Sequence, residues 1–128
     1  MQNSIEWTSQ AIVNACGVRP ALIRPPGGNF NDSVRANVPL PLVYWTVDTL
    51  DWQTRSMQAT VDHVLSRARG GQIILMHDTH SSTAAAAEIL IPELISRGYQ
   101  LVTVSQLLAA RGIYLSAGQV IYSANDVR

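Results

Sequence analysis

The chain has a single cysteine, Cys16, among 128 residues, which excludes an intrachain disulfide and any cysteine-based metal cluster. Set among apolar neighbours in IVNACG, Cys16 is expected as a buried thiol. An excess of one charge is also missing. Nine basic residues balance nine acidic ones and no run of Lys or Arg occurs, so there is no electrostatic footprint for nucleic acid or anionic lipid. No apolar stretch approaches the ~20 residues of a membrane-spanning helix. The opening MQNSIEW lacks the basic-then-apolar pattern of a signal peptide. No repeat, low-complexity segment or interdomain linker is visible. These absences leave a globular chain of about one domain's length, long enough to bury one core. Its charge balance suits a neutral partner such as a glycan or a small molecule.

What is present is an alternation of short apolar runs and helical patterns. ALIR (21–24), LVYWTV (42–47), QIILMH (72–77) and QLVTV (100–104) read as strands, LVYWTV and QIILMH apolar on both faces as in a sheet covered from both sides. Helices are expected at 4–16, capped by Ser4 with Ile5, Ile12 and Cys16 near one face, and at 31–36. A third follows Ser56 as cap, carries Val61, Val64, Leu65 and Ala68 at helical spacing, and ends at Gly70-Gly71. Residues 83–97 make a fourth, with Ile89, Leu90, Leu94 and Ile95 as its apolar face and a kink or restart at Pro92. Ser105 caps a last helix in QLLAARG, and residues 113–128 read as a loosely packed tail. Four strand–helix units with short links indicate an α/β fold with a parallel sheet and right-handed crossovers.

In parallel α/β folds the strand-to-helix loops converge at the carboxyl ends of the strands, where ligands bind. Three consecutive strands here end in chemically capable residues: Arg24 on the first, Asp48, Asp51 and Trp52 on the second, His77, Asp78 and His80 on the third. Taken singly, each has an ordinary reading. Arg24 covers a strand end, Asp48 and Asp51 are turn residues or caps, Trp52 is core, and His77 is a satisfied core histidine. Together they form a constellation. His63, in mid-helix beside Asp62, reads as surface or packing. His77 and His80 form an H-x-x-H pair, but zinc takes three or four ligands and no third is evident.

RPPGG at 24–28, DTLDW at 48–52 and LMH at 75–77 resemble, in order and spacing, the later motifs of the polysaccharide deacetylases, the NodB-homology enzymes of carbohydrate esterase family 4. The resemblance runs from about residue 5 to residue 111. WTVDTLDW and ILMHDTH are especially similar to the peptidoglycan N-acetylglucosamine deacetylases. It implies metal-dependent deacetylation on a distorted (β/α) barrel, with an aspartate as general base and a histidine as general acid.

Carried onto this chain, the resemblance makes His77 the general acid and Asp51 the partner that favours its imidazolium, while Arg24 holds the base carboxylate. Trp52 and Leu75 wall the acetyl pocket, and Pro26, Gly27 and Asp48 complete the substrate-binding set. Gly27 and Gly28 allow a backbone N–H to approach a developing oxyanion closely. The family usually carries a larger side chain at the position of Gly27. Its first two motifs, an Asp-Asp strand and an H-S/T-x-x-H loop that supply the base and the metal ligands, find no match before residue 22, and four strands are too few to close a barrel. Residues 1–128 are therefore expected to be one partial domain, the C-terminal half of a distorted (β/α) barrel. Zinc or another divalent metal belongs to the complete enzyme, with no ligand in this chain. The implied partners are an acetylated glycan (peptidoglycan, then chitin-like oligomers, then xylan) and either the missing N-terminal half or a second copy paired through an open sheet edge. The implied location is extracytoplasmic. A non-catalytic glycan-binding or structural α/β domain derived from a deacetylase is the alternative.

Overall fold

The structure is a computed structural model that describes residues 2–125. In chain order the elements are α1 (Gln2–Cys16), α2 (Asp32–Asn37), β1 (Leu42–Val43), β2 (Val47–Asp48), α3 (Asp51–Thr54), α4 (Met57–Leu65), β3 (Ile74–Leu75), α5 (Ser81–Ser96), α6 (Val104–Ala110) and β4 (Val120–Ile121), with a 3₁₀ turn at Pro26–Gly28. They divide into two compact units, Met1–Tyr44 with Tyr114–Ile121 and Trp45–Ile113 with Tyr122–Arg128. No helix among the described residues is long and apolar enough to cross a membrane.

The first unit is built on parallel β1–β4 pairing, Leu42 opposite Val120 and Val43 opposite Ile121. Ile23 forms a single parallel bridge to Leu42. The expected strand at 21–24 is thus one bridge, and the expected tail at 113–128 supplies a strand, β4. Residues 126–128 of that tail lie outside the described residues. α2 starts where Asn31 accepts a hydrogen bond from the Val34 N–H, one of the donors a helix start leaves free. α1 begins at Gln2, so Ser4 lies inside the helix and its carbonyl accepts from the Thr8 hydroxyl. Cys16 is exposed rather than buried, Ile12 is exposed as well, and Ser9 is buried instead.

The second unit pairs β2 with β3 in parallel, Val47 opposite Ile74 and Asp48 opposite Leu75. The expected strands at 42–47 and 72–77 are each shorter than the apolar runs suggest, and 42–47 is divided between β1 and β2. The core is the α4–α5 contact: Val61 and Val64 meet Ala86, Leu90 and Leu94, with Met57, Leu65, Ile74, Met76 and Tyr99 around them. Each such aliphatic burial contributes about 1.5–3 kcal/mol. Ser56 caps α4 as expected, accepting from the Ala59 N–H at 3.2 Å, but the helix ends at Leu65, ahead of the glycine pair. α5 runs as one helix through Pro92, without a restart. A proline removes one ladder bond, while Ala86, Leu90 and Leu94 hold the helix on α4 along both sides of it. Ile89 and Ile95, assigned to the apolar face, are exposed. The buried stripe is Thr83, Ala86, Leu90 and Leu94.

Residues 101–103 form no strand, and Leu101 and Val102 are exposed. The segment lacks the neighbour that a β ladder requires among the described residues. Its end serves the next helix instead. Thr103 caps α6 in a reciprocal box with Gln106, so Ser105 lies within the helix. The observed architecture is a mixed helix–strand fold with parallel strands, in two pairs rather than one four-stranded sheet.

Candidate active site

Parallel pairing of β2 with β3 fixes the direction in which their loops leave. Both strands run the same way, so the residues after Asp48 and after Leu75 emerge from one end. Asp51 follows the first by three positions and His77 follows the second by two. The turn between β2 and α3 is tight. Leu50 takes a left-handed backbone with φ of 55°, at a cost of about 1–2 kcal/mol for a residue with a Cβ, and its N–H donates to Asp48 Oδ1 at 3.0 Å. Thr49 is buried beside it and donates its hydroxyl to the Leu75 carbonyl at 2.8 Å, joining the two strand ends again.

Asp51 then opens α3 with its side chain fully buried. A buried carboxylate needs partners, and this one has four. Its Oδ1 accepts from the Trp52 N–H at 2.9 Å and faces His77 Nδ1 at 2.8 Å. Its Oδ2 accepts from the His77 N–H at 2.6 Å and from the Thr83 hydroxyl at 2.8 Å. Burial by itself raises the carboxyl pKa, but the bonds from the His77 side chain, the His77 N–H and the Thr83 hydroxyl outweigh it and lower the value to about 2. Asp51 is therefore ionised near neutral pH and can only accept. That places a proton on His77 Nδ1 and leaves Nε2 as the nitrogen that meets solvent. The His77 side chain keeps about a third of its surface exposed.

The arrangement is a carboxylate–imidazole pair of the kind that can deliver or remove a proton through the second ring nitrogen. Of the residues singled out from the sequence, the structure brings Asp51 and His77 into contact. Trp52 places its backbone on the carboxylate while its side chain stays half exposed. Asp48 holds the turn through Leu50, and Leu75 is buried on β3. His80 stands next to the pair, ring centroids 6.4 Å apart and edge-on to His77, at the residue that precedes α5. Arg24, Pro26 and Gly27 belong to the first unit, where all three are exposed. There Gly27 and Gly28 adopt φ of 65° and 70°, and Tyr44 donates its hydroxyl to the Gly28 carbonyl at 2.9 Å. Among the described residues no group of three His, Cys, Asp or Glu side chains gathers to hold a metal ion.

Two residues were not anticipated, Thr49 and Thr83. Thr83 had a signal: it heads the stripe that continues as Ala86, Leu90 and Leu94, and a hydroxyl on a buried apolar face needs an acceptor.

No family model matches the chain. It is 43% identical over 103 residues to the peptidoglycan-N-acetylmuramic acid deacetylase PdaC of Bacillus subtilis (strain 168), covering 80% of this chain and 22% of that protein. It is 36% identical over 126 residues to the peptidoglycan-N-acetylglucosamine deacetylase PgdA of Listeria monocytogenes serotype 1/2a (strain 10403S), covering 98% of this chain and 26% of that protein. Among solved structures, the Xyl-CE4 domain of a multidomain xylanase from the hindgut metagenome of Trinervitermes trinervoides superposes with a TM-score of 0.89 at 33% identity, over 98% of this chain and 63% of that one. The chain thus spans about a quarter of these two curated relatives and under two-thirds of the solved domain.

Proposed function

The chain is a homologue of the polysaccharide deacetylases of carbohydrate esterase family 4, and from that premise we propose that it supplies the general acid for metal-dependent hydrolytic deacetylation of an N- or O-acetylated polysaccharide. The observation that carries this reading is the 2.8 Å contact between Asp51 and His77 Nδ1, with Nε2 left free. On an N-acetyl group, water adds to the acetyl carbonyl carbon. The C–N bond then breaks as His77 Nε2 passes its proton to the departing sugar nitrogen, and acetate and a free amine leave. Asp51 holds the imidazole and balances its charge while it carries that proton. Trp52, half exposed beside the pair, suits packing against the sugar, with Leu75 as the inner wall of an acetyl pocket and Asp48 as a further contact. Arg24 orients the base.

The same reading treats the 128 residues as one partial domain, the C-terminal half of a distorted (β/α) barrel. The general base and the ligands of a zinc-like divalent ion then come from residues beyond this chain, in the complementary half. The exposed Leu101 and Val102 support an apolar surface that such a half would cover. Peptidoglycan is the first substrate in this proposal, followed by chitin-like oligomers and acetylated xylan, and the site of action is outside the cytoplasmic membrane.

The test compares this chain alone with the chain joined to the complementary half of a family 4 domain, assayed for acetate release from peptidoglycan, chitin oligomers and acetylated xylan. The joined protein is expected to release acetate, and the chain alone neither to do so nor to hold stoichiometric zinc. Zinc binding with turnover by the chain alone would overturn the assignment of ligands and base. A joined protein that binds glycan but releases no acetate would favour a non-catalytic binding domain.

A further inference from the structure

We propose that Thr83 is a positioning residue of the Asp51–His77 pair, setting the plane of the Asp51 carboxylate and through it the direction of His77 Nε2. The inference rests on reading His77 as the proton donor and adds a residue that neither the motifs nor the relatives' names assign.

The carboxylate of Asp51 turns about its terminal torsion, which is broad and shallow in energy, so its plane is set by what bonds to it. Oδ1 is engaged by His77 Nδ1 and the Trp52 N–H, and Oδ2 by the His77 N–H and the Thr83 hydroxyl. Three of these donors belong to the two strand-end loops themselves. Thr83 is the donor from outside them, in the first turn of α5. It is 4% exposed, and its own N–H is taken by the His80 carbonyl at 3.1 Å. α5 is the helix whose Ala86, Leu90 and Leu94 form half of the core. The Thr83 hydroxyl therefore ties the carboxylate to a helix anchored in the core of its unit. With this bond in place Oδ2 cannot swing, Oδ1 stays in line with Nδ1, and the ring presents Nε2 in one direction. A valine at 83 keeps the shape and removes the donor, whereas a serine keeps the donor.

The experiment is an NMR study of the isotopically labelled 128-residue chain, reading the titration of the Asp51 carboxyl carbon and the low-field Nδ1 proton of His77. In Thr83→Val the Asp51 titration is expected to move upward, because a bond to the charged form is lost, and the Nδ1 proton resonance to disappear into exchange. Thr83→Ser is expected to restore both. A folded Thr83→Val chain with both signals unchanged overturns the proposal. Should Thr83→Val fail to fold, the wild-type hydroxyl decides: a Thr83 hydroxyl proton whose resonance follows the Asp51 titration supports the assignment, and one that ignores it overturns it. Neither readout depends on turnover. If His77→Ala in the joined protein left acetate release intact, the reading of His77 as general acid would fail while the positioning result stood.

Discussion

The loop at residues 24–29 is held from its backbone. Gly28 donates to the Pro25 carbonyl at 3.0 Å, Asn29 donates to the Pro26 carbonyl at 3.3 Å, and Arg24, Pro26 and Gly27 face solvent. The corner formed by residues 48–54 and 77–83 is held through side chains instead, with one buried carboxylate accepting four bonds. The first loop presents peptide groups where glycine permits a positive φ. The second presents a buried carboxylate fixed against an imidazole by hydrogen bonds. Substitutions should damage them in different ways: deleting a charge or a donor in the corner, adding a Cβ in the loop.

The largest effect is expected at His77. In the joined protein, His77→Ala should lower turnover by about 10²–10⁴-fold with little change in KM, the loss typical of a missing general acid. Steady-state kinetics on an acetylated glycan checks this, and unchanged turnover would remove the corner from the chemistry.

Asp51→Ala comes next, as a loss of stability in this chain. It leaves the Trp52 and His77 N–H groups and the Thr83 hydroxyl without their acceptor, and a buried group so orphaned costs about 1–3 kcal/mol. Urea unfolding should therefore show a drop of about 2 kcal/mol or more. The pH dependence has a definite sign. The folded carboxyl, lowered to about 2, lies below the ordinary unfolded value near 3.9. Its stabilisation is present above about pH 4 and is lost as pH falls toward 2. In Asp51→Asn that acid limb should flatten, and an unaltered limb would mean that the network is absent in solution.

In the loop, Gly27→Ala is expected to cost about 1–2 kcal/mol, the penalty for a Cβ in the left-handed region. The added carbon would also stand 3.1 Å from Asn29 Nδ2. The Asp51 titration should not move, which separates the two regions in one measurement. The smallest effect runs the other way. Arg55 ends α3 exposed, with φ of 47°, so Arg55→Gly should stabilise the chain by about 0.5–1 kcal/mol, read as a rise in urea midpoint. A loss there would mean that the Arg55 side chain has a contact worth more than its strain.

Amino-acid sequence alone determined which residues carry chemistry and roughly where elements lie. Asp51 and His77 each come after a run that is apolar on both faces, and Ser56 announces a helix start by local hydrogen bonding that needs nothing distant. It could not determine strand lengths, because a strand exists only where a neighbour accepts its bonds. For that reason 101–103 remains unpaired among the described residues while 120–121, with a weaker pattern, pairs with Leu42–Val43. Nor could it show that Ile89 and Ile95 stay outside while Thr83 goes in, since which stripe of α5 is buried depends on how α4 meets it. Tertiary structure alone decided the register of Asp48 against Leu75. Parallel pairing sends both loops out of one end, so two groups 26 positions apart in sequence become hydrogen-bond partners, and burial of Asp51 between them turns an ordinary loop aspartate into a fixed charge.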